Sequence, residues 1–166
     1  MKQKLHVSIE PMMEEDVAPA IELISAAMNE NEAKWARQAM HFYFACKKHG
    51  LDSGRDYFVW RHQKKVQGLI GLHRYIWGPR ENVWLSWFAV HPAHQGKKIG
   101  AGMIDAIEKI AKQSGYKKFL IETYDNPTFE RARALYRSKG FTRTGHIENY
   151  LPDGSAMLVF TKHIVR

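Results

Sequence analysis

Residues 91–110 read HPAHQGKKIGAGMIDAIEKI, with glycines at 96, 100 and 102 around a pair of lysines, at the point where a helical pattern begins. A glycine costs a helix interior about 1 kcal/mol relative to alanine, so the local sequence is wasteful unless something approaches the backbone closely. A helix start offers unpaired N–H groups and the positive end of the macrodipole, which together favour a phosphate. Gly96, Gly100 and Gly102 remove side chains that would block it, and Lys97 and Lys98 add positive charge. The stretch lacks the G-x-x-x-x-G-K-[ST] spacing of a P-loop and the G-x-G-x-x-G spacing of a dinucleotide-binding turn.

On the C-terminal side, Met103, Ile104, Ile107, Ile110 and Ala111 recur at helical spacing up to a Gly115 stop, and KKFLIET (117–123) follows as a buried strand. NVWLSWFAV (82–90) is the strand entering the glycine turn, so the segment forms a βαβ unit with parallel strands and a right-handed crossover. Upstream, HVSIEPM (6–12) alternates as a first strand. EEDVAPAIELISAAM (14–28) reads as a helix with Asp16 at its N-cap, and residues 32–49 as a second helix ending at Gly50. DYFVWRHQ (56–63) and KVQGLIGLHRYIW (65–77) form a hairpin about a turn near Lys64, so the sheet is antiparallel up to the glycine turn. Downstream, PTFERARALYRSKG (127–140) is a helix, and FTRTGHIENYL (141–151) with SAMLVFTKHI (155–164) closes the chain as a hairpin through PDG. Strand alternation predicts that Trp84 and Trp87 lie on opposite faces.

The chain of 166 residues, with 45% hydrophobic and 25% charged residues, is expected to form one domain over 1–166. Its apolar runs are too short for a membrane span, and with a single cysteine, Cys46, in a helical apolar pattern, a cytoplasmic protein with an inert core thiol is expected. The net charge of +8 is unevenly placed: residues 91–143 hold eleven Lys/Arg against five Asp/Glu, residues 1–34 three against seven. A basic half beside an acidic segment points to two sites of opposite preference more than to a nucleic-acid face, and neither nucleic acid nor membrane is an expected partner. His91 and His94 flank the turn without Cys, Asp or Glu at ligand spacing, so no metal is expected.

VHPAHQGKKIGAGMI (90–104) resembles the acetyl-CoA signature of the GNAT superfamily of N-acetyltransferases, V-x-x-x-x-[QR]-x-x-G-x-[GA]. ARALYRSKGF (132–141) resembles that family's second element, A-x-x-L-Y-x-x-x-G-F. The resemblance implies an α/β GNAT fold: a mixed, mostly antiparallel sheet of about seven strands flanked by about four helices. It implies acetyl-CoA as cosubstrate and transfer of its acetyl group to a primary amine by direct attack on the thioester. Backbone groups of Phe88 and Val90 would pair with the pantetheine arm, and Gln95, Gly96, Lys97, Lys98, Ile99, Gly100 and Ala101 would hold the pyrophosphate. Tyr136 would be the general acid. Two positions depart from the pattern. Lys98 stands where the signature has its first glycine, and Phe129 stands where the family often has a pantetheine-binding asparagine, leaving Asn126 as the available one.

Family members often carry the base on the strand before the turn, at positions held here by Trp84 and Ser86. Neither is basic, so a water chain or Glu30, Glu32 or Glu81 is expected to serve. The other class of function compatible with the same turn is a catalytically degenerate acyl-CoA-binding or sensing domain. The partners implied are acetyl-CoA and an amine acceptor, and a homodimer is allowed.

Overall fold

The structure, a computed structural model, describes residues 7–165. Its strands are β1 (Glu10–Pro11), β2 (Arg55–His62), β3 (Lys65–His73), β4 (Asn82–Val90), β5 (Lys118–Tyr124), β6 (Thr142–Ile147) and β7 (Met157–His163). The helices are α1 (Val17–Ala27), α2 (Glu30–Lys48), α3 (Ile99–Gln113) and α4 (Glu130–Ser138), the last entered through a short 3-10 turn at Pro127–Phe129. One seven-stranded sheet runs in the order β1-β2-β3-β4-β5-β7-β6. Every neighbouring pair is antiparallel except β4 and β5, which α3 joins as a crossover.

Each face of the sheet carries its own core. Met40 and Tyr43 of α2 and Ile21 and Ile24 of α1 pack on Tyr57, Val59 and Leu69. On the other face Met103, Ile104 and Ile107 of α3 and Tyr136 of α4 pack on Ile70, Val83, Phe119 and Phe160. The helical spacing of these residues turns one stripe of each helix to the sheet.

The hairpin between β2 and β3 turns on Gln63 and Lys64, both at positive φ (50° and 66°), the backbone that matches strand twist in a two-residue loop. The first strand is shorter than expected, pairing at Glu10 and Pro11 with the Met12 N–H donating to the Tyr57 carbonyl (2.9 Å), and His6 of the expected span lies outside the described residues. Asp16 does not cap α1. It is buried, its carboxylate accepting from Arg61 (2.9 Å) and from the Met13 N–H (2.9 Å). The second helix starts two residues earlier than expected because the Asn29 side chain accepts from the Glu32 N–H.

Between Leu72↔Leu85 and Ile70↔Phe88 the register of β3 and β4 shifts by one residue, placing a bulge at Ser86 and Trp87. The bulge changes the tryptophan arrangement. Trp87 packs in the core under α1 and α2, and Trp84, between Val83 and Leu85 of the opposite core, faces the same side instead of the other.

Candidate active site

The site is built where two parallel strands part. β4 and β5 are paired only through Asn82↔Lys118, Val83↔Phe119 and Trp84↔Leu120, yet β4 continues to Val90 and β5 to Tyr124. A bulge bends its strand, and the one at Ser86–Trp87 lies just beyond the last pair. The unpaired edges of β4 from Leu85 and of β5 from Ile121 therefore flank a gap with backbone groups free to pair with an added strand.

At the β4 end of the gap stands the glycine turn. The Gln95 side chain donates to the Val90 carbonyl (3.0 Å) and so ties the turn to the strand. Gly102 is the first residue of α3 whose N–H reaches back into the helix, to Lys98 (3.1 Å), so the N–H groups of Ile99, Gly100 and Ala101 lack that bond. The three glycines have three different causes. Gly96 has φ +77°, a backbone that disfavours any side chain. A Cβ on Gly100 would face inward, 3.2 Å from the Phe88 ring and 3.6 Å from Leu135. A Cβ on Gly102 would overlap Val7 at 2.6 Å. A Cβ at Gly100 or Gly102 would thus meet packed side chains, while Gly96 answers to the backbone of the turn. Lys98, which replaces the signature glycine, takes the left-handed conformation (φ +64°) with its side chain exposed.

Sequence reading missed Arg131. Its Nη2 lies 3.3 Å from the position a Cβ on Gly96 would occupy, which brings a guanidinium from α4 to the turn beside exposed Lys97 and Lys98. Its signal was available, since Arg131 falls four residues before Leu135, the residue packed near Gly100.

Tyr136 is 6% exposed, ringed by Phe88, Phe141 and Phe160 at centroid distances of 6.4–6.5 Å. Burial pushes its hydroxyl well above the ordinary phenol range, so it keeps its proton at neutral pH. Beyond the end of β5, Arg133 donates to the carbonyls of Tyr124 and Asn126 and shapes the turn into α4. The Asn126 Oδ1 and the Thr123 Oγ1 are buried without a partner. An orphaned amide oxygen of this kind fits an incoming N–H donor such as those of a pantetheine arm.

On the opposite face, α2 brings Glu32 toward Glu122 of β5. Burial and the Glu122 charge raise Glu32 above the ordinary carboxylate range. Tyr124 donates its hydroxyl to Glu122 (2.8 Å) and stacks on Tyr150 at 6.1 Å. Of the other candidate bases, Glu30 accepts from the Ser25 hydroxyl, and Glu81 precedes β4 at the end where β4 and β5 are still paired, away from the gap. The acidic character of residues 1–34 is likewise partly spoken for, since Glu10 and Asp16 both pair with Arg61. His91 and His94 lie near His62, with His94 and His62 rings 4.8 Å apart. Among the described residues no group of three or more His, Cys, Asp or Glu is arranged to hold a metal ion, and no helix is long and apolar enough to cross a membrane.

Three solved structures share this fold across nearly their whole length. A GNAT-family acetyltransferase from Elizabethkingia anophelis with acetyl-CoA bound is 19% identical, with a TM-score of 0.73, 96% of this chain and 99% of that one being covered. The ribosomal-protein-S18-alanine N-acetyltransferase from Escherichia coli is 17% identical, with a TM-score of 0.74 and coverage of 96% and 95%. A chimera of spermidine N-acetyltransferase from Vibrio cholerae and hSSAT is 18% identical, with a TM-score of 0.77 and 95% of each chain covered. At these identities the likeness is one of fold. The acetyltransferase (GNAT) family model matches residues 20–141, from within α1 to the residue before β6, and the chain belongs to that family.

Proposed function

We propose that this chain is an acetyl-CoA-dependent N-acetyltransferase that moves the acetyl group to a primary amine by direct attack on the thioester. The observation that carries the proposal is the gap opening beyond Trp84 and Leu120, with a phosphate-suited helix start at one side; Tyr136, packed near Phe88 of the parting strand and kept protonated by burial, supports it. The acetyl-CoA bound in the Elizabethkingia anophelis structure supports that cosubstrate for the same fold.

The backbone of Phe88 and Val90 takes the pantetheine arm as an added strand, with Asn126 Oδ1 accepting one of its N–H groups. Gly96, Ile99, Gly100 and Ala101 present their N–H groups to the pyrophosphate, Gln95 holds the turn in place, and Lys97, Lys98 and Arg131 add positive charge. Glu32 accepts a proton from the attacking amine, directly or through a water, and its raised proton affinity suits that task near neutral pH. Glu122, held by Tyr124, faces the developing positive charge. As the new C–N bond forms and the C–S bond breaks, Tyr136 donates its hydroxyl proton to the departing sulfur and recovers one from Glu32 or solvent. The two carboxylates sit on one face of the sheet and the phenol on the other, so acid and base reach the reacting carbon from opposite sides of the gap.

The test is thiol release from acetyl-CoA in the presence of a broad panel of primary amines, beside calorimetric binding of coenzyme A. Turnover with at least one amine is the expected result. Tight binding with no turnover for any amine favours the degenerate acyl-CoA-binding domain instead.

A further inference from the structure

The segment between β3 and β4 displays three consecutive large apolar side chains: Tyr75 (49% exposed), Ile76 (51%) and Trp77 (85%). Single exposed hydrophobics need no explanation, but a contiguous set does. The display is held in place. The Arg74 N–H donates to the Gly54 carbonyl (2.7 Å), Arg74 pairs with Asp52, and the Gly78 N–H closes a turn onto the Tyr75 carbonyl (3.1 Å). Its rings also form a continuous path inward. Trp77 lies 6.0 Å from Tyr75, and Tyr75 lies 6.4 Å from Trp84 in an edge-on contact. Trp84 is the last β4 residue paired with β5, so the path ends at the mouth of the gap, on the face that carries Glu122 two residues beyond Leu120.

From this continuity we infer that Tyr75, Ile76 and Trp77 form the wall that selects the acceptor, and that the acceptor is a small primary amine bearing an aryl or branched alkyl body. The inference rests on the acetyl transfer proposed above and names its substrate class. With the nitrogen at the gap, its positive charge faces Glu32 and Glu122 while the body lies along Trp84, Tyr75 and Trp77. A second cationic group farther out finds no free anionic partner among the side chains of the wall. His73, 5.3 Å from Tyr75, is held below the ordinary histidine range by burial and then by the Arg55 guanidinium, and Arg74 stands at the base of the loop. Asp52 already pairs with Arg74, leaving the wall without a free carboxylate of its own. Polyamines and heavily hydroxylated amines would therefore gain little from it.

The experiment compares phenethylamine with ethanolamine, two amines of equal charge that differ in body, using thiol release from acetyl-CoA by the full chain. Placing an apolar group in a matching pocket is worth about tenfold or more in kcat/KM, and that preference for phenethylamine is expected. In Trp77→Ala and Tyr75→Ala the ratio should fall to within about threefold at an unchanged melting temperature. A wild-type ratio near one, a ratio that survives both substitutions, or a preference for spermidine over phenethylamine overturns the inference. If neither amine is acetylated although coenzyme A binds, it is the transfer chemistry that has failed. Calorimetry of both amines against the coenzyme A complex then reads the wall alone. Tighter binding of phenethylamine by about tenfold upholds it, and equal affinities overturn it.

Discussion

Trp84 and Leu120 are the last residues through which β4 and β5 are joined, and two residues past Trp84 a bulge at Ser86 and Trp87 interrupts β4. A parallel pair that stops after three residues leaves two unsatisfied strand edges facing each other. Such edges are stable only when water or a ligand satisfies them. The gap is thus a defect in an otherwise continuous sheet, with the glycine turn at its β4 end.

Tyr136→Phe keeps the ring among Phe88, Phe141 and Phe160 and removes only the hydroxyl. Melting temperature and coenzyme A affinity should stay close to wild type while kcat falls by about 10²-fold, as expected for loss of a general acid. A melting temperature that drops with kcat intact would instead make Tyr136 a packing residue. Because burial raises its proton affinity, no alkaline loss of activity should arise from Tyr136 near neutral pH.

Glu32 must be ionised to accept a proton, so kcat/KM should rise with pH through a value above the ordinary carboxylate range. Glu122→Gln removes the neighbouring negative charge that, after burial, raises Glu32, and should move the acidic limb to lower pH. Glu32→Gln should abolish the limb and lower kcat by about 10²-fold or more. The linkage has the opposite sign for stability. The folded state holds this proton more tightly than the unfolded chain, so stability falls as pH rises through the window between the two values. Glu32→Gln should therefore raise the melting temperature at neutral pH, by thermal denaturation, while it removes activity.

Arg131→Ala removes a guanidinium beside Gly96 without touching either core. Coenzyme A affinity measured by calorimetry should weaken about tenfold at low salt and less at high salt, since exposed charge is screened. Unchanged affinity at low ionic strength would detach Arg131 from the pyrophosphate.

Lys98→Gly relieves a left-handed backbone that costs an L-residue about 1–2 kcal/mol, offset by the greater entropy of glycine in the unfolded chain. The expected outcome in chemical denaturation is a stability equal to or up to about 1 kcal/mol above wild type. Lys98→Val should destabilise instead, because a β-branched residue tolerates positive φ least.

The sequence alone determined the element order, the parallel crossover through α3 and the family, because hydrophobic period, glycine punctuation and two short motifs are local properties of a chain. The motifs that single out Gln95 and Tyr136 are local too, and in the fold Gln95 ties the glycine turn to Val90 while Tyr136 of α4 is buried. The sequence did not show what a Cβ at Gly100 or Gly102 would meet, since Phe88 and Val7 are not adjacent to them in sequence. It put Trp84 and Trp87 on opposite faces because a one-residue bulge leaves no mark in the alternation of NVWLSWFAV. Only the tertiary structure brought Arg131 to the turn, Glu32 to Glu122 and Tyr75 to Trp84. Each of these joins residues from different elements, and their proximity is fixed by how helices and loops cross the sheet, which no periodicity along the chain encodes.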